Sequence, residues 1–247
     1  MKIDLKFNQL PLLTLLCGGI GALLRLWQYG TGLDEDGLLL SGHPAGILAL
    51  VLTAVVIGLL VWFTRNFVSQ SKYSQQFPAS TYGGVGTFIG AAGLLLTATV
   101  ELVRQEVSFP LLTGLLGIAA AAALAFTGLC RLKGLRPNFL FHTVVCLYFV
   151  LRLISRYQTW SSVPQLHDYC FQLLATVCAM LFAYHRAALD MKTGERRRLV
   201  VLGLLGSYFC CLAVVESDAI LLYLGLAAWM ITNLGALDFP DDTPAEE

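Results

Sequence analysis

Eight stretches of the chain, at roughly 10–29, 44–64, 82–103, 110–130, 138–155, 166–188, 199–215 and 219–237, are apolar over about the 20 residues that a helix needs to cross a bilayer. Runs of this length leave little choice of fold. Lipid offers no hydrogen-bond partners, so backbone amides and carbonyls must be satisfied within the segment, and a helix does this. Charge is scarce enough to agree: 57% of the 247 residues are hydrophobic and 13% charged, against about 25% charged in a soluble domain. That is too little to coat a water-facing surface. We therefore expect an all-α, polytopic integral membrane helix bundle of about eight transmembrane helices. Residues 1–237 would form a single transmembrane domain, followed by a short acidic cytoplasmic tail over 238–247.

The ends of the stretches carry the residues that usually end membrane helices. Pro44, Pro110 and Pro137 stand where three of them begin, positions at which a missing amide costs little. Gly134 and Gly194 lie in turns, and Trp27, Tyr29, Trp62, Tyr157, Trp160 and Tyr169 gather near span ends as interfacial aromatics do. The last two stretches are separated only by Glu216, Ser217 and Asp218, with Ser217 or Asp218 able to cap the final helix. The alternative is a seven-span chain in which this hairpin does not cross twice. Lys2 and Lys6 before the apolar run Leu10–Leu24 resemble a signal sequence, but no small-x-small cleavage site follows. An uncleaved first span is expected.

Orientation follows from the lysines and arginines. With the N-terminus in the cytoplasm, 12 of the 16 lie inside (Lys2, Lys6, Arg65, Lys72, Arg131, Lys133, Arg136, Arg186, Lys192, Arg196, Arg197 and Arg198) and 4 outside: Arg25, Arg104, Arg152 and Arg156. Eight spans with both termini inside make every loop agree. The outer loops carry acids instead: Asp34, Glu35, Asp36, Glu106, Asp168, Glu216 and Asp218. A multi-pass protein of the cell membrane is the expectation.

The outer cations are the anomaly that points to a site. Glu101 and Arg104 are three residues apart near the outer end of the third span, and Arg152 and Arg156 four apart near the outer end of the fifth. Each pair shares a helix face. With Arg25 they would line an outward vestibule for an anionic ligand, since the planar guanidinium grips carboxylate or phosphate bidentately. The plainer alternative is that the arginines snorkel to headgroups or pair with Glu101, Glu106 or Asp168. Glu101 is the deepest acid by position, with a proton-linked role or a simple pairing with Arg104 as its two readings. His142 in the fifth span is either a buried proton carrier or a polar group bonded to a neighbouring helix. His43, His167 and Asp168 share the outer side, but their spacing demands no metal.

Glycines concentrate in the first span (Gly18, Gly19, Gly21) and the third (Gly83, Gly84, Gly86, Gly90, Gly93). In lipid such residues let helix backbones approach closely. Pro11-Leu-Leu-Thr14 and Pro110-Leu-Leu-Thr113 echo one another in spans of opposite direction, too briefly to define a repeat. The seven cysteines form no CxxC and no metal-ligand spacing with a histidine, and act as apolar filler. H-E-x-x-H and G-x-S-x-G are absent. No cofactor, metal, catalytic residue or nucleic-acid contact is expected. The expected partners are the lipid bilayer and either a small anionic solute or another membrane protein. The functional expectation is a small-solute transporter or permease-like protein. The alternatives are a non-catalytic component of a membrane complex and, weakest, an intramembrane enzyme using Glu101 or His142. Cysteines introduced at Ser69 and Ser71 should resist an impermeant thiol reagent in intact cells while one at Asp36 reacts; the reverse pattern overturns the orientation.

Overall fold

The computed structural model describes residues 9–32, 39, 42–66, 79–105, 109–160, 169–191, 193–217 and 219–237. They form eight helices. These are α1 (Leu10–Thr31), α2 (Pro44–Phe63, extended by a 3-10 turn at Thr64–Asn66), α3 (Thr81–Arg104), α4 (Pro110–Leu132), α5 (Phe139–Trp160), α6 (Cys170–Asp190), α7 (Arg196–Glu216) and α8 (Ile220–Gly235). Each lies on one of the eight apolar stretches. Seven are long and apolar enough to cross a membrane, and the chain is a multi-pass membrane helix bundle. The eighth has 16 residues, about 24 Å at 1.5 Å per residue and short of a hydrocarbon core of roughly 30 Å. The acidic tail from 238 onward lies outside the described residues, as do Asp34, Glu35, Asp36, Glu106, His167 and Asp168.

Helix boundaries follow from local chemistry. Pro11, Pro44 and Pro110 occupy the first two positions of α1, α2 and α4. Pro137 instead precedes its helix, and the Asn138 carboxamide oxygen accepts the Leu140 amide at 3.1 Å as α5 begins. His43 Nδ1 accepts the Ala45 amide at the start of α2, and Ser80 Oγ accepts that of Gly83 at the start of α3. At the end of α4 the chain turns at Gly134, whose φ of +65° strains any L side chain. The Leu135 amide then returns to the Cys130 carbonyl at 2.8 Å.

Helices α3, α4, α5, α6, α7 and α8 pack in a closed circuit, each against the next and α8 back against α3. The α1–α2 hairpin lies outside, held through α7. Alternating helix directions place the starts of the odd helices and the ends of the even ones at one end of the bundle, with Arg131, Arg186 and Arg196. We call this the basic end and the opposite one the far end. Helix α8 runs back to the basic end, where Arg131 Nη2 donates to the Ala236 carbonyl at 2.9 Å and Asn233 Nδ2 donates to Thr87 Oγ1 at 2.9 Å. Most of α8 is buried, including Tyr223, Trp229 and Met230. Trp229 meets Phe182 of α6 edge-on with ring centroids 5.0 Å apart; together with Tyr148, Phe149 and Leu226 these side chains fill the centre.

The glycines of α3 make this arrangement. A Cβ on Gly90 would lie 2.8 Å from Trp229 Cβ, and one on Gly93 would strike the Leu221 carbonyl oxygen. On the adjacent face Gly84 faces Gly128 and Leu132 of α4. The close-packing role expected of these residues is therefore realised between α3 and both its neighbours. Gly93→Ala cannot be relieved by a rotamer change, because the obstacle is backbone. It should lower stability in detergent by about 1–3 kcal/mol, the usual range for an overpacked core. Gly58→Ala on α2, where nothing lies within 4 Å, should leave thermal unfolding unchanged.

Candidate functional site

The face of α3 that carries Gly86, Gly90 and Gly93 toward α8 continues through Thr97 to Glu101 in the last turn, so Glu101 points inward; only 6% of it is exposed. On α5 the residues Tyr148, Arg152 and Arg156 recur every four positions and share a face. Both arginines reach across to α3. Arg152 Nη1 and Arg156 Nη2 donate to the same oxygen, Glu101 Oε1, the second at 3.0 Å. Arg152 is 2% exposed, and its Nη1 also donates to Tyr148 Oη at 3.4 Å. The Tyr148 ring fits because α4 has glycine opposite: a Cβ on Gly117 would come within 2.8 Å of it. Tyr223 of α8, bonded to Thr176 of α6, interacts electrostatically with both arginines from the bundle side. Residues of five helices thus meet in one charged cluster at the far end. Two guanidinium groups there bear on a single carboxylate oxygen in a region where unpaired charge is very costly.

The five residues singled out in the sequence separate in space. Glu101, Arg152 and Arg156 come together. Arg104, the nearer partner for Glu101 by sequence, is exposed; it lines a shallow open groove of about 240 Å³ with Thr99, Val100 and Val103. Arg25 is buried elsewhere, between α1 and α6. Its Nη1 donates to Gln28 Oε1 at 2.6 Å, and its guanidinium lies over the rings of Tyr29 and Phe171 at 5.3 and 5.1 Å. The bonding of Glu101 across to α5 rather than along α3 reflects burial. An i,i+3 partner on the outer face of α3 offers nothing to a carboxylate that faces the core.

A second cluster lies at the basic end. His142 Nδ1, in the first turn of α5, is 2.8 Å from Oδ2 of Asp190, the last residue of α6, and both side chains are almost fully buried. Arg186, one turn earlier on α6, is buried beside them. Sequence reasoning named His142 but missed Asp190, which reads as the end of an apolar helix. The available signal was its placement, because an acid at a helix C-terminus opposes the dipole and asks for a cation. Tyr148 and Tyr223 were missed as well, being indistinguishable in sequence from aromatic filler. Glu101 and His142, the two alternative acid-base groups of the enzyme reading, belong to the two different clusters.

Between the clusters the bundle is apolar and filled by Val145, Phe149, Phe182 and Trp229. His43 uses both ring nitrogens, Nδ1 on the Ala45 amide and Nε2 with Thr31 Oγ1 at 3.3 Å. Among the described residues no three His, Cys, Asp or Glu side chains are placed to hold a metal, and all seven cysteines are free. Comparison with protein-family models, with curated proteins and with solved structures found no match to this chain.

Removing one member of a buried ion pair strands the other. Glu101→Gln and Arg152→Gln should each cost about 3–5 kcal/mol, while the double variant should recover about 1–3 kcal/mol relative to their sum. A double-mutant cycle on thermal unfolding measures this; simple additivity would mean the two side chains do not act as a pair.

Proposed function

We propose that this protein is a permease-like membrane protein for a small anionic solute, with Arg152 and Arg156 as the groups that grip it. One observation carries this reading: two guanidinium groups from one helix converge on a single oxygen of a single buried carboxylate. Each guanidinium carries five N–H donors in a fixed fork, a geometry that matches carboxylate and phosphate oxygens. A carboxylate or phosphate oxygen entering beside Glu101 meets donors already oriented and desolvated, the condition under which charged hydrogen bonds are strongest. The buried Tyr148 and Tyr223 side chains adjoin Arg152. Their hydroxyls suit a solute with both anionic and neutral polar groups.

A second reading, a non-catalytic component of a membrane complex, is favoured by a different observation. The aromatic layer closes the bundle below the cluster, and α2 buries only Ala45, Ala49, Thr53, Val56 and Leu60 of its 20 residues. The rest of α2 presents an apolar surface suited to lipid or to another helix.

The two readings part in a thermal-unfolding screen of the purified protein against small carboxylates, phosphate and amino acids, with Arg156→Ala and Arg152→Lys run alongside. A ligand at 100 times its dissociation constant stabilises by about 2.7 kcal/mol. A selective shift in the wild type that both variants lose supports the anion site, since lysine keeps the charge but not the fork. No shift with any anion favours the component reading.

A further inference from the structure

We infer that the His142–Asp190 pair is a reversible proton-binding site, set in the basic half of the bundle on the same helix that carries the anion-gripping arginines. The inference stands on the geometry of the pair and does not depend on the anion reading.

Three observations lead to it. The first is the contact itself. Nδ1 and Oδ2 lie 2.8 Å apart, and two lone pairs do not approach so closely, so one proton already lies between them. With Nδ1–H turned to the carboxylate, the imidazole lone pair resides on Nε2. A second proton adds there, converting the neutral imidazole and carboxylate into an imidazolium–carboxylate pair and breaking no other bond.

The second is the setting. Both side chains are almost fully buried, and both stand against their helix dipoles, a would-be cation in the first turn of α5 and an acid at the last residue of α6. The charged forms gain nothing from the helix ends, as they would if locking two helices were the only role. An uncharged hydrogen-bonding pair would lock the helices without that opposition. The groups facing the pair from the packed helices are Arg186 on α6 and Cys130 at the end of α4, which lies close enough to Asp190 to interact with it. Arg186 places a fixed positive charge beside the imidazole, so an imidazolium there depends on the Asp190 carboxylate against it.

The third is position on α5. His142, Val145, Phe149, Arg152 and Arg156 follow one another at intervals of three and four and form one stripe, buried from His142 to Arg152 and half-buried at Arg156. From His142 to Arg152 is ten residues, about 15 Å along the axis. A change of charge at one end of so short a rigid element bears on the packing of the other.

The test uses the full-length protein in detergent or nanodiscs with histidine ring nitrogens labelled, followed by NMR from about pH 5 to about pH 9. Four histidines contribute, and His142→Gln identifies the resonance that belongs to the pair. We expect that resonance to pass reversibly from the singly to the doubly protonated pattern while the protein stays folded, and to do so at a different pH in Asp190→Asn. A His142 signal that keeps one protonation pattern over the whole range overturns the inference, because a purely structural hydrogen bond would behave that way. If His142→Gln fails to fold, the signal is assigned instead by its response to Asp190→Asn. A wild-type spectrum in which no histidine signal responds to Asp190→Asn is equally fatal.

Discussion

The close approach of α3 and α8 is the constraint on which the rest of this bundle depends. Two helices in lipid gain nothing from excluding water, so their contact must come from van der Waals packing and a few hydrogen bonds. Gly90, Gly93 and Gly225 provide the first, bringing the two backbones into direct contact. Thr87 and Asn233 provide the second. With α8 held this tightly the circuit of six helices closes, Trp229 is delivered to Phe182, and Tyr223 is delivered to Arg152. The shortness of α8 matters equally. Its first turn meets α3 at Gly93, whereas Glu101 lies eight residues further on, about 12 Å higher. The space above the start of α8 is where the α5 arginines reach in.

Hydroxyl groups inside the bundle are satisfied mostly within their own helices. Thr14, Thr53, Thr87, Thr97, Thr176, Ser207 and Thr232 each return a hydrogen bond to the carbonyl four residues earlier. Such bonds satisfy the hydroxyl at little cost in lipid, and Thr53, Thr87 and Thr176 also meet a side chain of another helix. The ties between helices are few and each has a place. Thr53 meets Tyr208 at 2.9 Å and fastens α2 to α7, Arg131 fastens α4 to the end of α8, and His142 fastens α5 to α6. Glu101 is different, because it joins α3 to α5, which do not follow one another in the circuit. The ion cluster therefore spans the bundle rather than stitching a seam, and it restrains two helices that packing alone leaves independent.

Much of this was legible in the sequence, for reasons that differ by element. The helices were, because hydrophobic length and the scarcity of charge admit no other membrane structure. Their ends were, to within a few residues, because proline, glycine and Ser80 act locally. The packing role of the α3 glycines was also legible, but not their partner: nothing in Gly86-x-x-x-Gly90 says whether it faces α4 or α8. The candidate site was half legible. Arg152 and Arg156 share a face at a spacing of four, and an acid as deep as Glu101 needs a cation, so their meeting follows from charge and depth. Arg25 and Arg104 satisfy the same sequence criteria, yet one is sheathed by Tyr29 and Phe171 and the other faces outward. That distinction depends on helix rotation within the bundle, which a uniformly apolar helix does not encode. Asp190 escaped notice because its value lies in a partner 48 residues earlier in the chain.

The two buried clusters differ in a way that a merely structural account leaves without a reason. Simple fastening of helices is served by one hydrogen bond at each end, as Thr53 and Asn233 illustrate. At the far end the protein instead places two permanent charges against one acid, and arginine cannot shed its proton. At the basic end it places histidine, the side chain whose charge is most easily changed near neutrality. Fixed positive charge suits holding an anion that comes and goes, whereas a variable charge suits a proton. Both clusters include residues of α5, and Val145, Phe149, Phe182 and Trp229 are packed between them. With arginine at one end, histidine at the other and large apolar side chains between them, α5 is the helix that contributes an ion-pairing side chain to both clusters.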